Sequence, residues 1–453
     1  MKKFFVCFMM LFILGFGVAK AEDSSFGFMW KNDDLSINSI TSLVKVPGGY
    51  LAGGSDNNNK SYIVKYDEKG KELAHANLNG DTVVGLYEYE DYYYAIEEDY
   101  WQLVFYKLNK NTLSVMARQT TPLEKNGDNY VIEYKNGIAY ITTIADGEFG
   151  GWYNIDSGQN ELLVKINFVS GEYEVVHLVE NSNGIDYTEY NKVYSQANQL
   201  FIKELNRHKA PMVVKSNGTY SVVTGRDNAG MQAFGYLAVY DKDNKLVAEY
   251  KGNNTSMCYL DVLIKGDKIL ALGLNHNNID VFDFNAKLVE SIKLNDQYEE
   301  EKTFNGLRIV DSVGGFTAGY LVCDLLENVR ASNCTQGIIN YEYLYNVNVQ
   351  TDGNGEIVVS KNKEYGNGEI TFTIKPKEGY VLGSVKVTDA NGNVLTFTDY
   401  TFTMPYADVL IQATFQLKNP DTYVGYQIFG ALIIAVIALI AFVINLKKAR
   451  ELL

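Results

Sequence analysis

The chain of 453 residues has little proline, cysteine, histidine or tryptophan: six, four, four and three residues respectively. Scarce proline suits strands inside a sheet, because proline cannot donate to the hydrogen-bond ladder. The histidines, His75, His177, His208 and His276, are dispersed and complete no zinc spacing such as H-E-x-x-H. A G-x-S-x-G elbow and a phosphate-binding P-loop are also missing. The sequence therefore names no catalytic residue, no metal ligand and no cofactor site, and it favours a non-enzymatic protein.

Long apolar runs are missing too, except at the two ends. "MKKFFVCFMMLFILGFGVAKAED" has the basic start, apolar stretch and Ala19-Lys20-Ala21 site of a signal peptide over residues 1–21, which would remove Cys7 with it. Residues 424–444 carry no formal charge. As a helix they would span roughly 30 Å, the thickness of a bilayer's hydrocarbon core. Tyr423 and Tyr426 stand at the outer edge of that run, and Lys447, Lys448 and Arg450 follow it in a tail of residues 445–453. That order predicts one transmembrane helix with a cytoplasmic C-terminus and an extracellular N-terminal part.

The formal net charge is −15, and removing the basic leader and tail leaves about −20 on what lies between. Such a surface repels nucleic acid, which is excluded as a partner.

What the chain has is a repeated grammar of alternating strand, polar turn and second strand. It recurs in "SYIVKYDEKGKELAHANLNG", "LVFYKLNKNTLSVMARQT", "ELLVKINFVSGEYEVVHLVE", "GYLAVYDKDNKLVAEYKGNN" and "NIDVFDFNAKLVESIKLND". The period of two along each strand marks half-buried β-structure. Asp67, Asn109, Phe168, Asp241, Asp283 and Asp324 occupy the corresponding turn position, at intervals of 42, 59, 73, 42 and 41. A spacing near 40–45 with four short strands per unit is the pattern of a β-propeller blade. The long intervals fit an insertion, "ADGEFGGWYNIDSGQN", and a short extra blade around "YNKVYSQANQLFIKELN". The expected fold is all-β: a six- or seven-bladed propeller over residues 22–335, a small all-β repeat module over 336–417, a linker at 418–423 and the transmembrane helix.

Individual residues add less. Cys323 and Cys334 bracket a short loop suited to a disulfide in an oxidising exterior, leaving Cys258 alone, although three unpaired cysteines remain an alternative. "DKDNK" (241–245) and "DANGN" (389–393) space oxygen atoms as calcium loops do, but turn geometry explains Asp, Asn and Gly there equally well. The segment 85–106 crowds Tyr92, Tyr93, Tyr94, Tyr100 and Trp101 among acids. Those five are the candidate ligand-contact aromatics, set against a purely structural role for tyrosine in strands. Glu97, Glu98 and Asp99 lie in the same segment and are the acids a carbohydrate-active hydrolase or lyase would draw on.

Two resemblances extend this reading. Residues 345–416, with Gly353, Gly355, "KPKEGYVL" (375–382), "VTDANGN" (387–393) and "FTMPYADVLIQATF" (402–415), resemble a divergent internalin-type B-repeat. That resemblance implies a spacer or adhesive module of a bacterial surface protein. Asn419-Pro420-Asp421-Thr422-Tyr423, followed by the apolar run and basic tail, resembles a sortase sorting signal, which implies cleavage after Thr422 and transfer to peptidoglycan. Tyr423 departs from the small residue usual there, so a plain single-pass membrane anchor stands beside it. The expected function is a surface-anchored, non-enzymatic binding or adhesion protein, a propeller head on a repeat stalk, with an extracellular glycan or protein as its partner. The alternatives are an exported carbohydrate-active enzyme of the propeller type and a structural envelope component.

Overall fold

Strand pairing in a computed structural model resolves the repeat into six sheets. The structure describes residues 25–33, 35–56, 58–99, 102–120, 130–144, 161–178, 180–181, 184–185, 195–207, 209–227, 234–252, 258–274, 278–294, 302–324, 332–418 and 431–442. Two units result, 1–343 and 344–453.

In the first unit, residues 39–77, 82–120, 130–178, 209–251 and 258–293 each hold a four-stranded antiparallel meander, blades 1 to 5. The sixth sheet is built from both ends of the unit. Lys302–Ser312, Gly315–Asp324 and the start of Ser332–Thr351 supply three strands, and Phe26–Asn32 adds the fourth, with Phe26 opposite Tyr343 and Asn32 opposite Ile338. The innermost strands, Ser39–Val46, Thr82–Tyr89, Tyr130–Lys135, Lys209–Ser216, Cys258–Lys265 and Lys302–Ser312, each neighbour the next, and the last neighbours the first. The ring is closed, and the unit is a six-bladed β-propeller.

The packing follows from the alternation. Each strand puts one set of apolar side chains toward each neighbouring blade, so the cores lie between blades. Leu51, Ile63, Val83, Leu86 and Val104 fill the gap between blades 1 and 2. Val222, Leu237, Val262, Ile269 and Phe282 fill that between blades 4 and 5. Phe26, from the closing strand, packs with Leu270, Ile279 and Phe316 between blades 5 and 6.

The seventh blade is not there. The stretch expected to hold it contains the helix Gln196–Asn206, which packs on the inner strands of blades 3 and 4. Its burial spans nearly the whole circumference, so the segment reads as neither a clean helix nor a clean strand stripe. Ala197, Asn198, Leu200, Phe201, Ile202 and Glu204 are all buried.

The turn motif also needs correction at two places. Asp67, Asp241 and Asp283 each accept hydrogen bonds from the N–H groups two and four residues on. Asn109 accepts from two and three residues on, and in blade 3 this role falls to Asn167, one residue before Phe168. Asp324 ends a second strand and lies in no such turn, because blade 6 takes its outer strand from residues 26–32.

Cys323 and Cys334 are joined by a disulfide bracketing the connection between two strands of blade 6. Cys258 is a buried thiol whose pKa burial pushes up to about 12.

The second unit begins at Leu344, eight residues later than the expected module start at 336, because residues up to Tyr343 are paired in the closing blade. Val347–Thr351 pairs in parallel with Val409–Ala413, and Tyr380–Asp389 pairs with the other edge of that strand. A second sheet joins Gly355–Val359, Glu369–Pro376 and Thr401–Thr403. Between them lie Ile357, Ile370, Phe372, Val387, Phe402, Ile411 and Phe415. Residues 431–442 are helical, with Leu432, Ile433, Ile434, Val436, Ile437, Leu439, Ile440 and Phe442 all exposed. Among the described residues no helix is long and apolar enough to cross a membrane. The rest of the expected span 424–444, the leader 1–21 and the motif 419–423 lie outside the described residues.

Candidate functional site

The two ends of the propeller are unequal. Antiparallel strands alternate direction, so turns after the first and third strands of every blade share one end. The connections after the second strand, and those between blades, share the other. At the first end no connection exceeds five residues. At the second end they include 121–129, 145–160, 325–331 and the thirty residues 179–208. Loops carried on a rigid scaffold are where binding residues concentrate, so the candidate site is this loop-bearing end and the inner-strand residues beneath it.

Two of the five aromatics of the tyrosine-rich segment are core residues. Tyr93 and Tyr94 are buried at 1% and 2% exposure. Tyr94 belongs to an aromatic stack between blades 2 and 3, with Tyr87 and Tyr134 ring centroids 3.6 Å apart, Tyr87 and Tyr94 5.4 Å, and Tyr87 and Phe168 4.4 Å. Burial raises the pKa of both Tyr87 and Tyr134, and it pushes Tyr93 up to about 12. Tyr92 is half-buried with Lys107 Nζ 3.7 Å from its ring centroid. Tyr93 and Tyr94 are both core residues because they point to opposite faces of a strand covered on each face by a neighbouring blade. Tyr100 and Trp101 lie outside the described residues.

The acids of that segment are also committed. Glu97 is fully buried, accepting from Gly80 N–H at 2.7 Å and from Tyr106 O–H at 2.7 Å. Arg118 Nε donates to the same Tyr106 oxygen at 3.1 Å and lies 3.8 Å from Asp99. Glu97 thus fastens the approach to blade 2. Among the described residues no group of three His, Cys, Asp or Glu is placed to hold a metal ion. In "DKDNK" and "DANGN" the leading carboxylates, Asp241 and Asp389, take the turn's own N–H groups.

Two polar groupings on or beside the inner strands were not singled out from sequence. One lies where the helix Gln196–Asn206 meets blade 4. Glu204, fully buried, accepts from Arg207 Nη1 at 2.7 Å and from Tyr240 O–H. Lys209 pairs with Asp227 at 2.6 Å, both nearly buried. Burial raises the pKa of Glu204, opposed by Arg207.

The other grouping runs along four consecutive inner strands. Arg308 of blade 6 donates through Nε to the carbonyl of Thr41 in blade 1, at 2.5 Å, and through Nη1 to Leu307 O at 2.7 Å. Thr41 Oγ1 donates to the carbonyl of Val83 in blade 2 and lies 3.5 Å from Thr82 Oγ1. On the other side, Asp261 of blade 5 accepts from Ile309 N–H at 3.0 Å. Thr41 and Leu307 are the extra residues of β-bulges. A bulge re-aims side chains, which explains why alternation gave no warning. Burial lowers the pKa of Arg308, and nearby Asp261 opposes that shift.

Residues 345–419 match the family described as the divergent InlB B-repeat domain. No curated protein matches the chain. Among solved structures, the chain is similar to the C-terminal WD40 domain of Sif2, at 11% identity over 66% of this chain and 81% of that one, with a TM-score of 0.35. It is likewise similar to Sqt1 from Chaetomium thermophilum, at 10% identity over 70% and 90%, with a TM-score of 0.36. Hydrazine synthase of Kuenenia stuttgartiensis is a third, at 9% identity over 61% and 79%, with a TM-score of 0.35. At these values the likenesses bear on neither ligand nor activity, and the six-bladed assignment rests on the strand order and ring closure.

Proposed function

We propose that this is a surface-anchored binding protein whose propeller recognises an extracellular glycan or protein with its loop-bearing end, in tandem with a B-repeat module. The one-sided distribution of connections carries the reading. A scaffold that keeps every turn at one end to five residues or fewer, and spends nine, 16 and thirty residues on connections at the other, concentrates variable surface on one side. The B-repeat match supports display at a surface. The location is part of the proposal. The leader 1–21 exports the chain, and the apolar segment 424–444 holds it in the membrane with residues 445–453 inside. Helical residues 431–442, whose apolar side chains have no protein cover, support that anchor. Processing at Asn419–Tyr423 by a sortase would replace the anchor by a peptidoglycan link.

The test is binding of the full chain, in detergent, to arrays of glycans and surface proteins. A bound partner should be lost when 145–160 is shortened to a tight turn, and kept when the opposite-end turn 217–219, which bonds only to its own neighbours, is altered. Absence of any partner, or loss only with the opposite-end change, would sink the reading and leave a structural envelope role. Intact mass of the mature C-terminus from membrane and wall fractions decides between a chain ending at Leu453 and one ending at Thr422.

A further inference from the structure

Arg308 is a cation without an anion. The guanidinium has five N–H donors. One reaches Thr41 O and one reaches Leu307 O. Among the described residues no carboxylate pairs with it. Asp261, the acid that acts on it through space, has its two oxygens occupied by Val262 N–H at 2.9 Å and Ile309 N–H at 3.0 Å. Arg308 is half-buried, so solvent reaches part of it. Holding an unpaired charge away from bulk water is costly, and such groups are ordinarily paired. Beside it, Thr41 spends its only hydroxyl proton on Val83 O, while Thr82 Oγ1 has a single, long neighbour in Thr41 Oγ1 at 3.5 Å. Three N–H donors of Arg308 are therefore left over, and the Thr82 hydroxyl is held only by its 3.5 Å contact with Thr41 Oγ1, on the inner strands of blades 6, 1 and 2.

We propose that Arg308 and Thr82, braced by Thr41, form a binding site for the carboxylate of a small acidic ligand at the mouth of the propeller. The planar guanidinium fork matches two carboxylate oxygens, and the Thr82 hydroxyl, across Thr41 on the next blade but one, is a donor for another polar atom of the same ligand. A singly charged carboxylate fits better than a phosphate dianion. One cation faces it, and the propeller unit, residues 22–343, carries a net charge of −17, which repels a second negative charge. The inference rests on the reading of the loop-bearing end as the ligand face, and it narrows the chemistry of what enters there.

The experiment is thermal unfolding of the full chain in detergent with N-acetylglycine or glucuronate, each against its neutral counterpart, N-acetylglycinamide or glucose. The acids should raise the melting temperature with saturation and the neutral molecules should not. Whichever acid gives the larger shift identifies a peptide-like or a sugar-acid source. Arg308→Gln should abolish the shift. Thr82→Val, which disturbs no backbone contact of Arg308, should weaken acid binding roughly tenfold, the loss of one hydrogen bond to a charged group, and it keeps the test decisive if Arg308→Gln fails to fold. Equal shifts for acid and neutral probes, no shift with either acid, a shift that survives Arg308→Gln, or unchanged affinity in Thr82→Val would each overturn the site. Array binding that persists without any effect of acids removes this inference alone; acid binding in a chain that captures no partner removes the surface-recognition reading alone.

Discussion

The side-chain amide of Asn32 donates to the carbonyl of Gly70 at 2.6 Å, fastening the strand that closes the ring to the outer turn of blade 1. Gly70 has φ +78°, and a Cβ there would stand 2.6 Å from the ring of Trp30. Gly70→Ala therefore combines a left-handed backbone with a clash and should cost at least 2 kcal/mol, roughly half from the backbone alone. Phe26→Ala, which empties a buried site between blades 5 and 6, should cost about 3–5 kcal/mol. Urea unfolding followed by tyrosine and tryptophan fluorescence reads both. Values within 0.5 kcal/mol of the parent would mean that the closing strand contributes little.

The Lys209–Asp227 pair gives a contrast between breaking and replacing. Lys209→Met takes away the cation 2.6 Å from the nearly buried Asp227, and Lys251 stands farther off at 3.8 Å. That change should cost about 3 kcal/mol, whereas Lys209→Met with Asp227→Leu should recover most of the loss. A double-mutant cycle by denaturant unfolding measures the difference, and strictly additive losses would contradict it.

One backbone position repeats in five blades and carries different side chains: Gly70, Leu113, Gly171, Asn244 and Ala286, all with φ between +54° and +78°. Ala286→Gly should stabilise by about 0.5 kcal/mol, since relief of the left-handed strain exceeds the added chain entropy. Leu113→Gly should instead destabilise by about 2–4 kcal/mol, because Leu113 is fully buried between blades. Opposite signs at equivalent φ are the expected result in a melting-temperature comparison.

Acid should loosen the B-repeat module. Asp352 accepts from Phe415 N–H at 2.7 Å and Asn354 N–H at 3.0 Å, and these bonds hold its pKa below the ordinary 3.8. Asp389 is lowered in the same way, chiefly by Asn393. A carboxyl depressed in the folded state contributes stability that is complete above its unfolded pKa and is lost as pH falls through the folded one. Stability of the module should therefore hold above pH 4 and decline below about 3.8. Asp352→Asn should flatten that decline, as read by amide exchange of the Val409–Leu417 strand. A slope unchanged by the substitution would assign acid sensitivity elsewhere.

The blades were legible because their period of two and their Asp or Asn turns are local features. "DEKG" and "DKDN" carry the same side-chain-to-backbone bonds wherever they occur. The closing strand Phe26–Asn32 was not legible, since its partner lies some three hundred residues away and no local signal names it. The helix Gln196–Asn206 was missed because burial on several sides erases the stripe that marks a surface helix. Tyrosine crowding at 87–94 pointed toward a ligand, but composition cannot tell a stacking platform from a core that happens to be aromatic. Arg308 left one trace, the single basic residue of "GLRIVDS". Such a charge ordinarily lies on a solvated face, and only the bulge at Leu307 turns it toward Thr41.

The pairing of Phe26–Asn32 with Ser332–Thr351 also sets a clock. During synthesis the first strand emerges more than three hundred residues before the one it must join. At the ~5–20 residues per second of translation, that is a wait of at least ~15 seconds. For all that time the chain carries an unpaired strand edge, the kind of surface on which chains aggregate. Blades 1 to 5 can form their meanders as they appear, but the ring cannot be sealed until synthesis has passed Tyr343. Yield of this protein should therefore depend less on the stability of any blade than on what keeps residues 26–32 unengaged until then.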